Sequence, residues 1–186
     1  MAGHSGDEAA ARALLGDPEA EVRAAALGAL ARRGAAGPGE VRRALVDADP
    51  TVRRRACRVA VLVAIEDDDL LARLADQDVG VAETAAWALG ERGGGRSSEA
   101  VEALAGMAAG HQDALCREAA VAALGAIGDP AGLAAVLAAT TDRPAVRRRA
   151  VIALAAFDGP DVDAALLRAR DDRDWQVRQA AEDLSQ

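Results

Sequence analysis

The chain has 186 residues, 51% hydrophobic, 28% charged and only 2% aromatic, with a formal net charge of −8. That length fits one domain or one continuous array. Alanine fills about a quarter of the positions while β-branched and aromatic residues are thin, which argues against an all-β fold, and the acidic balance argues against nucleic-acid binding through the overall field, leaving only a local basic groove open.

Taken in chain order, apolar residues at helical spacing predict a succession of helix pairs. A short helix A carrying Leu14 and Leu15 precedes a helix B headed by Val22; Leu45 and Val46 precede one headed by Val52. Leu70, Leu71 and Leu74 come before the helix headed by Val81, and Val101, Leu104 and Met107 before the one headed by Cys116. Leu133, Val136 and Leu137 lead to Val146, and Val162, Leu166 and Leu167 to Val177. The six heads are separated by 30, 29, 35, 30 and 31 residues, a periodicity that marks tandem repeats. Four residues after each head stands Ala26, Ala56, Ala85, Ala120, Ala150 or Ala181; eight after stands Leu30, Ala60, Leu89, Leu124 or Leu154, with Leu184 one place early in the last unit. These spacings put each set on one helix face.

Punctuation agrees with the period. Pro18, Pro50 and Pro144 fall where B helices should start, and Pro38, Pro130 and Pro160 where A helices should start, positions at which a missing N–H costs little. Asp17 and Asp49 are natural N-caps, and Gly34, Gly93, Gly128 and Gly159 natural stops. Asp67, Asp68 and Asp69 open the third A helix on the favourable end of its dipole. The run Gly93-Gly94-Gly95 accounts for the one long step, with Ser97 or Ser98 capping the next helix. The expected fold is all-α: an α-solenoid (superhelix) of about six helical hairpins, in units of approximately 6–34, 38–64, 66–93, 97–128, 130–158 and 160–186 of a single array. A core of Ala, Leu and Val requires its helices to approach closely.

The motif Asp-x-Asp-Pro-x-Val-Arg-x-x-Ala, fullest from Asp47 to Ala56 and repeated in register six times, resembles a HEAT repeat of the short prokaryotic, phycobilisome-lyase type. The resemblance implies a ladder in which the Asp before helix B pairs with an Arg of the neighbouring repeat. Its candidates are Asp17, Asp47, Asp76 and Asp172 with Arg23, Arg53, Arg117, Arg147 and Arg178; Ala82 interrupts it in the third unit, and His111 and Thr141 stand in place of the acid in the fourth and fifth. These residues are expected to be structural, as caps and ion pairs. The di-iron arrays of the same kind, such as deoxyhypusine hydroxylase, rest on His-Glu pairs; His4 and His111 are the only histidines and neither is followed by Glu. Nothing in the residues marks a bilin site.

No cofactor and no metal are expected. The sequence contains no nucleophile–base–acid set, zinc spacing, phosphate loop or dinucleotide fingerprint, and Cys57 and Cys116 fit core thiols two repeats apart. Two cysteines, no apolar run of 18 residues and an opening octapeptide without an apolar segment point to a cytoplasmic protein that does not enter a membrane.

In HEAT-like arrays the B helices line the concave surface, and places two, three and six after each head point away from the inter-helix core. Those places hold Arg54, Arg55 and Arg58; then Glu83, Thr84 and Trp87; then Glu118 and Ala119; then Arg148, Arg149 and Ile152. Arg54, Arg55, Arg58, Trp87, Arg148, Arg149 and Ile152 are the candidate partner-binding residues, because Trp and Arg most often anchor interfaces. The expected function is a non-catalytic scaffold for a protein or peptide segment that is acidic or mixed acidic-apolar. The alternatives are a nucleic-acid-binding HEAT-like protein resembling the AlkD-type DNA glycosylases, or a subunit of the bilin-lyase type. Trp175, in the place of the turn proline of the last unit, reads as a packing plug. Glu182, Asp183, Ser185 and Gln186 give the last helix a polar, capping character, and a monomer is expected over an oligomer.

Overall fold

The structure, a computed structural model, describes residues 3–92 and 98–184, with side chains from residue 7 onward. The Gly93-Gly94-Gly95 run, Ser97, Ser185 and Gln186 lie outside the described residues. All regular structure among the described residues is helical. The helices run in A/B pairs: α1 (Gly3–Ala13) and α2 (Ala20–Arg32), α3 (Pro38–Leu45) and α4 (Pro50–Ala60), α5 (Asp67–Leu71) and α6 (Val79–Glu91). They continue with α7 (Ser98–Gly110) and α8 (Ala114–Ile127), α9 (Leu133–Ala139) and α10 (Pro144–Ala153), α11 (Pro160–Ala169) and α12 (Trp175–Asp183).

The helix starts follow from capping chemistry. Pro38, Pro50, Pro144 and Pro160 are first residues of their helices. The Asp49 carboxylate accepts the Thr51 N–H at 2.8 Å, Asp113 accepts that of Leu115 at 2.8 Å, and Asp174 that of Gln176 at 2.9 Å. The first B helix departs from the expectation. Asp17 is not its N-cap and Pro18 is not its first residue: α2 starts at Ala20, and the Asp17 carboxylate instead closes the preceding turn by accepting the Glu19 N–H at 2.9 Å. Gly34 and Gly128 take up left-handed conformations, with φ of 67° and 66°, at the ends of α2 and α8.

The helices gather into two compact units, Met1–Ala88 and Leu89–Gln186. In the first, α2 packs on α4, α3 on α4 and α3 on α5; in the second, α7 packs on α9, α9 on α11, α8 on α10 and α10 on α12. Helices α1, α3, α7, α9 and α11 each pack on the B helix of their own pair, and from one pair to the next A helices meet A helices and B helices meet B helices. The heads Val52, Val81, Cys116, Val146 and Val177 are buried, as are the alanines four places on and Leu30, Ala60, Leu89, Leu124 and Leu154 eight places on. Val22 is only half-buried, and Leu184 is exposed because the chain leaves the helix there.

Small residues set the spacing of the B helices. A Cβ placed on Gly125 of α8 would lie 2.7 Å from Ala153 Cβ and 2.9 Å from its Cα, and one on Gly90 would lie 2.8 Å from Ala123 Cα. Only a hydrogen fits at either point. Cys57 and Cys116 are both buried and neither is in a disulfide. Among the described residues no helix is long and apolar enough to cross a membrane.

Candidate functional site

The charged residues after each B-helix head divide into two sets. The first place after the head holds an arginine aimed at the turn of the next repeat. Arg23 meets Asp47 with two parallel bonds, Nε to Oδ2 at 2.9 Å and Nη2 to Oδ1 at 2.7 Å. Arg53 meets Asp76 in the same way at 2.8 and 2.8 Å, and Arg147 meets Asp172 at 2.9 and 2.7 Å. The remaining edge of each guanidinium donates to its own turn: Arg23 Nη1 to the Asp17 and Pro18 carbonyls at 2.9 and 3.0 Å, Arg53 Nη1 to those of Asp47 and Ala48 at 2.8 and 2.9 Å. Each acid is occupied as well. Asp47, Asp76 and Asp172 accept the backbone N–H two residues on at 2.9, 3.0 and 2.8 Å. The forked geometry is what guanidinium and carboxylate favour, and the paired guanidinium holds Asp47, Asp76, Asp142 and Asp172 below the usual carboxylate range.

One rung corrects the sequence reading. Thr141 is not the ladder residue of the fifth unit; Asp142 is. Arg117 reaches it with Nε at 2.6 Å and Nη2 at 2.8 Å from its two carboxylate oxygens. The turn there is one residue shorter than its counterparts, so Arg147 donates to a carbonyl five residues back (Asp142, 2.8 Å) where Arg53 reaches six back to Asp47. Elsewhere the ladder stops. Ala82 is buried and carries no charge. His111 holds the acid's place but accepts the Asp113 N–H on Nδ1 at 3.1 Å. Arg178 donates only to its own turn, the Asp172 carbonyl at 2.7 Å, and meets no carboxylate among the described residues.

The second set lies two, three and six places after the heads. In the first unit, Arg54 and Arg58 are exposed and Arg55 is half-buried. Together with Thr51, Ala24 and Ala25 they line a shallow cleft of about 90 Å³ between α2 and α4, with Glu21 at its rim. Two glycines shape this face. A Cβ on Gly28 would stand 3.4 Å from Arg32 Nη1 and 3.5 Å from Arg55 Cζ, so both guanidinia converge on the bare backbone of α2. Arg54 turns the other way and lies along Gly80, where a Cβ would come within 3.2 Å of Asp78 Oδ1 and 3.3 Å of Arg54 Nη1. Trp87 of α6 is 42% exposed. Thr84 does not belong to the open face: it is buried, its hydroxyl donating to the Gly80 carbonyl at 2.6 Å.

In the second unit, Arg148 and Arg149 are half-buried and Ile152 is 40% exposed. Arg149 Nη2 approaches Glu118 Oε1 at 3.4 Å, while its buried Nε has no hydrogen-bond partner among the described residues. Trp175 is not a plug. As the first residue of α12 it is 64% exposed and, with Ile152, Leu184, Arg148 and Gln179, lines a cleft of about 440 Å³ between α10 and α12. Beside the polar Glu182 and Asp183, the last two helices therefore expose Leu167, Trp175 and Leu184. Sequence reasoning missed Arg32, Gly28, Gly80 and Asp142. Only Asp142 had a visible signal, a carboxylate one place off register.

Burial pushes the Cys57 thiol up to about 12. Among the described residues no three His, Cys, Asp or Glu side chains are placed to hold a metal ion.

Paired helices packed like on like, with arginine–aspartate rungs passing from one repeat to the next, define an α-helical repeat protein of the HEAT/armadillo kind. The comparisons agree: the chain is HEAT-like, with the HEAT-repeat family matching residues 67–144. Among solved structures it is similar to an engineered protein (20% identity over 96% of both chains, TM-score 0.71). It is also similar to the YibA protein of Escherichia coli (19% identity over 97% of this chain and 73% of that one, TM-score 0.69). A designed armadillo repeat protein in complex with the peptide (KR)4 shares the fold at 16% identity, over 94% of this chain and 96% of that one, with a TM-score of 0.65. No curated protein matches the chain in sequence.

Proposed function

We propose that the protein is a non-catalytic, cytoplasmic interaction scaffold whose B-helix faces take a protein or peptide segment of acidic or mixed acidic-apolar character. The binding residues are Arg54, Arg55, Arg58 and Trp87 in the first unit and Arg148, Arg149 and Ile152 in the second. Asp47, Asp76, Asp142 and Asp172, paired with Arg23, Arg53, Arg117 and Arg147, hold the repeats together, while Asp17 and Arg178 serve only their own turns.

One observation carries this reading. The chain has 30 acidic and 22 basic residues, so carboxylates are in excess, yet Arg54, Arg55 and Arg58 form no ion pair or hydrogen bond among the described residues. Arginines kept unpaired on one face are what an interface needs and what a fold does not. A repeat protein of the same fold is known in complex with a basic peptide; a cationic face calls for the opposite sign. Local arginine runs also suit a nucleic-acid backbone, but the net charge of −8 opposes a polyanion as long as DNA.

The test is a selection from a random peptide display library on the immobilised protein, repeated with Arg58→Glu combined with Trp87→Ala. Enrichment of acidic-apolar sequences that the variant fails to hold, at unchanged helicity, is the expected result. No enrichment, or equal binding by the folded variant, contradicts the proposal.

A further inference from the structure

Within the first unit the arginines outside the α2–α4 face have carboxylate or carbonyl partners. Arg12 pairs with Glu8 and Glu40, Arg23 with Asp47, Arg33 with Asp7, Arg42 with Asp69, and Arg53 and Arg73 with Asp76, while Arg43 donates to the Gly39 carbonyl. Arg32, Arg54, Arg55 and Arg58 have none among the described residues. Nor are these four scattered. Arg32 and Arg55 come from different helices and converge over Gly28, each within van der Waals reach of the place its Cβ would fill. Arg58 lines the cleft beside Arg55, and Arg54, which also borders it, turns toward Gly80, where the Asp78 carboxylate lies near the same point. Like charges brought together without a counter-ion repel, and Glu21 at the rim, the one carboxylate lining the cleft, makes no ion pair with them.

We infer that this Gly28-floored arginine cluster is a carboxylate-binding site for an acidic peptide segment, two of whose side chains replace the missing counter-ions of Arg32 and Arg55. The inference rests on the scaffold reading above and narrows it to one site and one chemistry. With no side chain at Gly28, the Arg32 and Arg55 guanidinia both lie against the backbone of α2 and so come close to one another. A fork of N–H donors takes a carboxylate with two bonds. Carboxylates on a short segment match a cluster this small, whereas a long phosphate polymer meets the repulsion of the whole chain.

The site can be closed from within. Gly28→Glu places a carboxylate at the point of convergence and leaves all four arginines in place, so it competes with the ligand without removing a charge the ligand would touch. The measurement is fluorescence anisotropy of labelled (DE)4 peptide titrated with the full chain, beside labelled (QG)4 and a single-stranded oligonucleotide of equal charge, at two salt concentrations. The expected outcome is binding of (DE)4 that weakens with salt, no binding of (QG)4, and weaker binding of the oligonucleotide. Gly28→Glu and Arg55→Ala should each lower (DE)4 affinity by about tenfold or more, both remaining folded by circular dichroism. Absence of (DE)4 binding overturns the inference, as does equal binding by Gly28→Glu. Tighter binding of the oligonucleotide overturns it in favour of nucleic acid. If displayed peptides are captured through Trp87 but are indifferent to Gly28→Glu, this site fails while the scaffold reading stands.

Discussion

The Arg117 guanidinium and the Asp142 carboxylate share two parallel hydrogen bonds of 2.6 and 2.8 Å across neighbouring repeats, although the turn carrying Asp142 is one residue shorter than its counterparts. The ladder keeps its rung by moving the acid one place along the chain. Both partners are largely shielded, the side chains being 13% and 21% exposed. Asp142→Ala should therefore destabilise the protein by about 2–4 kcal/mol, somewhat below the cost of breaking a fully buried pair. Thr141→Ala, at the position that register alone would pick, should cost under about 1 kcal/mol. Urea unfolding of the two variants decides between them; equal effects would remove Asp142 from the ladder.

Acid should unfold the protein through these rungs. Asp47, Asp76, Asp142 and Asp172 are held below the ordinary carboxylate value by hydrogen bonds from their arginines. A carboxyl whose folded value is depressed contributes stability above its unfolded value, near pH 4, and loses it as pH falls through the folded value. Stability measured by urea titration should be flat from neutral pH to about 5 and drop below about 4. In Asp76→Asn the drop should be shallower, because one linked proton is gone. An unchanged slope in that variant would show that other carboxylates govern the transition.

Two glycines of the B helices should respond to alanine with opposite sign. At Gly125 the new methyl would meet Ala153 at 2.7 and 2.9 Å, so the helices must part; a loss of about 1–3 kcal/mol is expected. At Gly28 the nearest atoms are arginine side-chain tips at 3.4 and 3.5 Å, and the helix should gain up to about 1 kcal/mol. Thermal unfolding reads both. A stabilising Gly125→Ala would mean that α8 and α10 do not approach this closely.

Cys57 should not react. Its thiol is buried and pushed up to about 12, leaving almost no thiolate at neutral pH. Mass spectrometry after treatment with iodoacetamide at pH 7.5 should find Cys57 unmodified in native protein and alkylated in urea. Rapid native alkylation would place this face of α4 in solvent.

Much of this architecture was legible in the residues because the burial pattern is periodic. The heads other than Val22 and the alanines four places on are buried as helix geometry predicts, and the prolines other than Pro18 and Pro130 start their helices. Three features were not legible, each for a physical reason. The shift to Asp142 preserves a contact between repeats by altering loop length, which a fixed register cannot see. The exposure of Trp175 was not legible because an aromatic residue in a turn reads equally well as packed or open. The convergence of Arg32 and Arg55 arises because Gly28, six places after its head, leaves room that a side chain in most other repeats fills; the spacing of Arg32 from Val22 carries no hint of it.

The central claim is that the arginines form two populations, one locked in rungs that hold the repeats and one left open for a ligand. Side-chain Nε–H NMR spectra of the full protein, recorded while the (DE)4 peptide is added, test it most directly. Signals of Arg32, Arg54, Arg55 and Arg58 should move with saturation, while those of Arg23 and Arg53, already bonded to Asp47 and Asp76 at 2.9 and 2.8 Å, should stay fixed. Shifts confined to the rung arginines, or no shift in the open four at saturating peptide, would contradict the account.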